Sequence, residues 1–122
     1  MLTVRLAQLH ALEALADDAY ERRLCRHAQQ FFPERVAAMS GPELHAYVRQ
    51  AVAAARGYGL ASERDICKYL NLALSLGPDF DTDPALPWAR AILTAEPIGP
   101  TLRINRLYLK ATEYIDAEGS KS

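Results

Sequence analysis

Asp79-Phe80-Asp81-Thr82-Asp83 sets three carboxylates at alternate positions, the way a calcium-binding loop opens. Calcium chemistry needs hard oxygen ligands there, a glycine at the sixth position and a bidentate glutamate at the twelfth. Pro84 and Arg90 occupy those two positions. An arginine cannot neutralise a cation, so the aspartates are expected to make local turns and caps. Phe80 is expected to pack down as an anchor; left exposed, it would be a contact point for a partner. His10, His27 and His45 are the imidazoles available for metal or acid–base work. Zinc ligation favours pairs at close helical or Cys-x-x-Cys spacings. Cys25 and His27 are separated by one residue and so face different sides of a helix. No metal site and no cofactor are therefore expected. A nucleophilic Cys25 or Cys67 would need an adjacent base and an oxyanion hole, and no local signature supplies either. Both are read as reduced thiols behaving as small apolar side chains.

The elements that would position these groups are helical almost throughout, with no sustained period-two alternation. The first segment, about Thr3 to Phe32, puts Leu6, Leu9, Leu12, Leu15, Ala16, Ala19, Tyr20, Leu24 and Ala28 on one face, with Thr3 as N-cap. A break is expected near Asp17-Asp18, since aspartate suits a helix start better than an interior. Pro33 ends the run and can open a short turn, Glu34 to Met39. Ser40-Gly41-Pro42-Glu43 starts a helix to about Arg56 that buries Leu44, Tyr47, Val48, Ala51, Val52 and Ala55.

Then comes a corner, Gly57-Tyr58-Gly59-Leu60-Ala61-Ser62. Gly59 supplies the left-handed stop, Leu60 the hydrophobic contact that goes with it, and Ser62 the cap of the next helix, three residues before Asp65. That helix, Glu63 to Leu76, carries Ile66, Tyr69, Leu70, Ala73 and Leu74, and closes on Gly77-Pro78. After an Asp- and Pro-rich loop, a short helix from Pro87 to Thr94 turns Trp88, Ile92 and Leu93 inward. The last helix, Thr101 to Ala117, is striped by Leu102, Leu107, Tyr108, Ala111, Tyr114 and Ile115. The expected fold is all-α: one compact bundle of five to six helices spanning residues 1–122, ordered over about 3–117.

Composition narrows the function classes. The 122 residues carry 14 Lys and Arg against 15 Asp and Glu, a formal net charge of −1. That balance gives no electrostatic case for nucleic acid. No apolar run approaches the ~20 residues that span a bilayer, and the N-terminus lacks the apolar core of a signal peptide, so a cytoplasmic protein with no membrane insertion is expected. Glu21-Arg22-Arg23-Leu24-Cys25-Arg26-His27 reads as a solvated face with an Asp18–Arg22 pair. Arg103, Arg106 and Lys110 form a second basic group on the last helix. Either group suits the rim of a protein interface, where arginine is enriched.

Several stretches carry a resemblance. They are Gln8-Leu9, Arg22-Arg23-Leu24-Cys25-Arg26-His27 leading to Phe32-Pro33, Ala55-Arg56-Gly57-Tyr58-Gly59, and Glu63-Arg64-Asp65-Ile66-Cys67-Lys68-Tyr69-Leu70. Gly77-Pro78-Asp79-Phe80-Asp81 and Trp88-Ala89-Arg90-Ala91-Ile92-Leu93 complete the pattern. Over about residues 4 to 115 the chain resembles small helical proteins encoded beside type VI secretion spike and toxin genes in Gram-negative bacteria. The resemblance implies an accessory role in toxin handling: an effector adaptor or chaperone, or an immunity protein. It carries over no catalytic residue. The leading expectation is a non-enzymatic binding module for a secreted toxin or spike protein, with Phe80, Asp81, Asp83, Arg103 and Arg106 as interface residues. An immunity protein is the alternative within the binding class; the near-neutral balance gives it little support, and the local acidity of Asp79, Asp81 and Asp83 keeps it open. From a different class, the alternative is a small metal-dependent or acid–base hydrolase using Asp79, Asp81 or His45.

Overall fold

A computed structural model describes residues 6–120, with side chains over 17–118. Thr3, Leu6, Leu9, His10, Leu12, Leu15 and Ala16, assigned above to a cap, a helix face and an imidazole set, lie outside the described side chains. The described residues are all-α, with six helices and no strand: α1 Leu6–Phe31, α2 Pro33–Val36, α3 Gly41–Gly57, α4 Glu63–Leu76, α5 Pro87–Leu93 and α6 Pro100–Ser120. They group into two compact units, Met1–Arg49 and Gln50–Ser122. Among the described residues no helix is long and apolar enough to cross a membrane.

In the first unit α1 passes Asp17-Asp18 without the expected break. A single Asp pair lowers helix propensity by only about 1 kcal/mol in all, and Asp18 recovers part of that by pairing with Arg22 one turn on, Nε to Oδ2 2.8 Å. Tyr20, Leu24 and Ala28 are buried at four-residue spacing on α1, as an amphipathic face requires. Pro33 stops α1, and α2 runs only from Pro33 to Val36, with Val36 buried. Ser40 caps α3 by accepting a hydrogen bond from the Glu43 N–H, 3.2 Å. Leu44 and Val48 are the buried residues of α3 in this unit.

The second unit turns on the corner between α3 and α4. Gly59 has φ +88°, and the Leu60 N–H reaches back to the Ala55 carbonyl while the Gly59 N–H bonds the Arg56 carbonyl, 3.1 and 2.9 Å. These are the two bonds of a Schellman stop, and Leu60 is buried as its hydrophobic partner. Ser62 accepts from the Asp65 N–H, 3.1 Å. The Asp65 carboxylate does not complete the reciprocal capping bond; its Oδ2 accepts instead from Thr101 Oγ1 at the start of α6, 2.6 Å.

The α4 face of Ile66, Tyr69, Leu70, Ala73 and Leu74 is buried as expected, joined by Leu72. On α6 the buried line is Ile104, Leu107 and Ala111. Leu102 and Ile115 are 48% and 43% exposed, so the stripe drawn from Leu102 sits off the true face. Ile104 is three residues before Leu107 and seven before Ala111, the spacing that one helix face demands, whereas Leu102 is five from Leu107. In α5 the inward residues are Ala89 and Leu93, with Trp88 and Ile92 half-buried.

A side chain at position 59 would be strained twice. Its Cβ would lie 3.3 Å from Pro100 Cγ and 3.6 Å from Arg103 Nη2, and the left-handed backbone costs a non-glycine residue about 1–2 kcal/mol. Gly59→Ala is expected to lower the free energy of unfolding by at least that amount. Urea denaturation of the two proteins side by side would measure it.

Candidate functional site

Two groups of side chains draw charge or polar atoms together, one in each unit. In the second unit the organising side chain is Arg103, on the first turn of α6. Its Nη1 donates to the Leu93 carbonyl at the end of α5, 2.9 Å, and its Nη2 donates to the Tyr58 carbonyl just past the end of α3, 3.1 Å. Carbonyls at helix C-termini lack intrahelical donors and carry the negative end of the dipole. One planar guanidinium satisfies two of them. Its Nε is buried without a hydrogen-bond partner.

Beside this clamp, Tyr58, Tyr69 and Phe80 stack in series, with ring centroids 6.1 Å apart for Tyr58–Tyr69 and 5.0 Å for Tyr69–Phe80. The Tyr58 hydroxyl donates to Asp81 Oδ2, 2.7 Å. Burial first, and then that hydrogen bond, push the Tyr58 phenol up to about 12. Tyr69 is also driven upward, by burial and then by the charge of Asp81. The Tyr69 hydroxyl closes no hydrogen bond in this geometry, and Tyr58 is the phenol that holds Asp81.

The interface residues expected from the sequence therefore divide. Phe80 is 1% exposed and offers a partner almost no surface; the anchor reading is the one its position supports. Arg103 is committed to two backbone carbonyls, so its role is internal. Asp81 is half-buried and held by Tyr58. Asp83 folds its Oδ1 onto the Ala85 N–H, 2.9 Å, and Thr82 Oγ1 donates to the Asp79 carbonyl, 3.3 Å. These are the local turns expected of an Asp-rich loop. Arg106 alone of the five is an exposed side chain.

In the first unit, Asp18 and Glu21 of α1 meet His45 of α3. His45 Nε2 lies 3.0 Å from Glu21 Oε1 and 3.7 Å from Asp18 Oδ1. Arg49, one turn beyond His45, brings its Nε to 3.4 Å from the same Glu21 oxygen. Glu21 is 8% exposed, and these neighbours offset the cost of burying a carboxylate there. Of the hydrolase candidates, His45 belongs to this cluster of the first unit, and Asp79 and Asp81 to the loop of the second. Asp18 and Glu21, three apart on one helix face, were the legible half of the cluster. Their meeting with His45, 24 residues past Glu21, was not.

Cys25 and Cys67 are in no disulfide and are both half-buried. Burial raises both thiols, and for Cys25 the Glu21 carboxylate raises it further against a smaller opposing effect of Arg26. Neither is primed as a thiolate nucleophile. No known protein family, curated protein or solved structure matches this chain.

Phe80→Ala should destabilise by about 3–5 kcal/mol, the usual cost of emptying a buried aromatic site. Arg103→Ala, which strands two carbonyls, should cost about 1–3 kcal/mol, while Arg106→Ala should stay within about 0.5 kcal/mol; chemical denaturation of the three variants checks the order. Because the Tyr58 phenol is raised above its ordinary value of 10.0 to about 12, its stabilising contribution is complete below pH 10 and is lost as pH climbs toward 12. Unfolding free energies measured across that window should fall less steeply in Tyr58→Phe than in the parent.

Proposed function

We propose that this chain is a non-enzymatic protein-binding module, an adaptor or chaperone for a secreted toxin of the type VI kind, and that it receives its partner on the outer face of α6. The observation that carries the docking face is the pair Leu102 and Leu109, 48% and 69% exposed. They lie seven residues apart on one side of the helix, with exposed Arg106 between them and exposed Lys110 beside Leu109. Two leucines left in water at this spacing are the anchors of a helix-on-helix contact. Burying each contributes about 1.5–3 kcal/mol. The two cations favour a partner segment whose apolar face is flanked by Asp or Glu.

The wider arrangement supports a binding role over chemistry. The raised phenols of Tyr58 and Tyr69 sit in a packed aromatic series, and the thiols are raised rather than lowered. The toxin as partner rests on the family resemblance of the helix corners and core residues. Leu102 and Leu109 contribute the place where such a client would dock.

The test is affinity purification of the tagged chain from its native host, with a type VI toxin or spike protein sought among what co-purifies, comparing the parent with Leu109→Asp and with Arg106→Glu. Stoichiometric recovery by the parent, abolished by Leu109→Asp and weakened by Arg106→Glu with circular dichroism unchanged, is the expected result. Equal recovery by all three proteins would remove α6 as the docking face. Failure of the parent to retain the toxin would remove the adaptor reading itself.

A further inference from the structure

We infer that Asp18, Glu21 and His45 form a binding site for a single divalent transition-metal ion of the zinc type. One ligand atom from each of the three, a carboxylate oxygen of Asp18 and of Glu21 and a ring nitrogen of His45, lies within 4.8 Å of the other two. Zinc bonds to carboxylate oxygen and imidazole nitrogen run about 2.0–2.2 Å, which separates adjacent ligand atoms by roughly 3.0–3.6 Å across octahedral to tetrahedral angles. The separations of His45 Nε2 from Glu21 and Asp18 are 3.0 and 3.7 Å. Rotamer-scale adjustment is enough to close the triad around an ion.

The chemistry of the donors selects the ion. An imidazole with two carboxylates suits zinc and its first-row neighbours, whereas magnesium and calcium are held by oxygen alone. The two carboxylates carry a formal charge of −2, which Arg22 and Arg49 offset until a divalent cation displaces Arg49 from Glu21.

The surroundings hold the ligands ready. Arg22 Nε engages Asp18 through Oδ2, 2.8 Å, which leaves Oδ1 turned to His45. Glu21 is buried and fixed, its side chain 11% exposed, while those of His45 and Asp18, 25% and 38% exposed, leave a route for ion and water. Such a site differs from a surface acidic pair because its nitrogen ligand comes from a second helix and its central carboxylate is enclosed. Arg49 is the internal competitor. It approaches Glu21 Oε1 at 3.4 Å with a side chain 64% exposed, so it can swing into solvent when the ion takes that oxygen.

This competition yields a readout that a plain ion-pair network would not give. Isothermal titration of the purified, reduced protein with Zn2+ should show one site, weakened about 10-fold or more in His45→Ala, Glu21→Gln and Asp18→Asn. Arg49→Ala should bind more tightly than the parent, because Glu21 Oε1 is released to the ion. Co2+ should give the visible d–d bands of a nitrogen–oxygen site, with no thiolate charge-transfer band. Asp18→Asn alters a partly exposed residue and keeps the test sound if Glu21→Gln folds poorly. Zinc binding unchanged by His45→Ala or Asp18→Asn, weaker binding in Arg49→Ala, or a thiolate band pointing to Cys25 would each overturn the assignment, as would an absence of binding in the parent.

Discussion

The Arg103 guanidinium is the constraint on which the second unit depends. Helix C-termini repel one another through their exposed carbonyls, and α5 and the corner after α3 both end where a donor is needed. Arg103 donates to Leu93 and Tyr58 at once, a task that suits a planar fork and not a lysine ammonium. Its position depends in turn on Gly59, because a side chain there would press on Pro100 and Arg103. The Schellman stop is therefore both the end of α3 and the space in which α6 begins. Asp65 and Thr101 tie the start of α4 to the start of α6 beside it.

From that corner the rest of the unit follows by packing. With α6 set against α4, Lys68 reaches Asn105 and Asn71 reaches Tyr108, 2.5 and 3.1 Å, a polar row beside the buried Ile104, Leu107 and Ala111. Trp88 of α5 meets Tyr114 of α6, centroids 5.6 Å apart. The loop after α4 is drawn down by Phe80 on Tyr69 and held by Asp81 on Tyr58. Each aromatic contact adds about 0.5–1.5 kcal/mol beyond area burial. A loop pinned in this way is scaffold, and the side of α6 that packing leaves open carries Leu102 and Leu109.

The first unit meets a different physical problem. Glu21 is buried with its charge, which is costly unless cations or donors compensate. His45 and Arg49 surround one of its oxygens, and Asp18 adds a second carboxylate to the same imidazole. Stability alone is a weak reason for such a group, since well-packed apolar residues in its place often serve a fold equally well. The proposed metal site would give the buried charge a use.

Helix number and type, the proline stop at Pro33, the Ser40 and Ser62 caps and the Gly59 corner were all readable along the chain. Each rests on hydrogen bonds that close within about six residues, where the local pattern of residue types decides the outcome. The Asp-rich loop was legible for the same reason: its turns bond Asp83 to Ala85 and Asp79 to Thr82. The expected fate of Arg103, Leu102 and Ile115 depended on which face of a helix met a neighbour, and periodicity leaves an uncertainty of one residue row that exchanges buried for exposed. The pairings that define the candidate sites join residues 24 and 28 apart in the first unit and 45 apart at Arg103 and Tyr58. Local residue types determined where this chain is helical and where it turns; only tertiary packing decided which charges became clamps, which gathered around His45 and which leucines remained in water, because desolvation acts on neighbours in space.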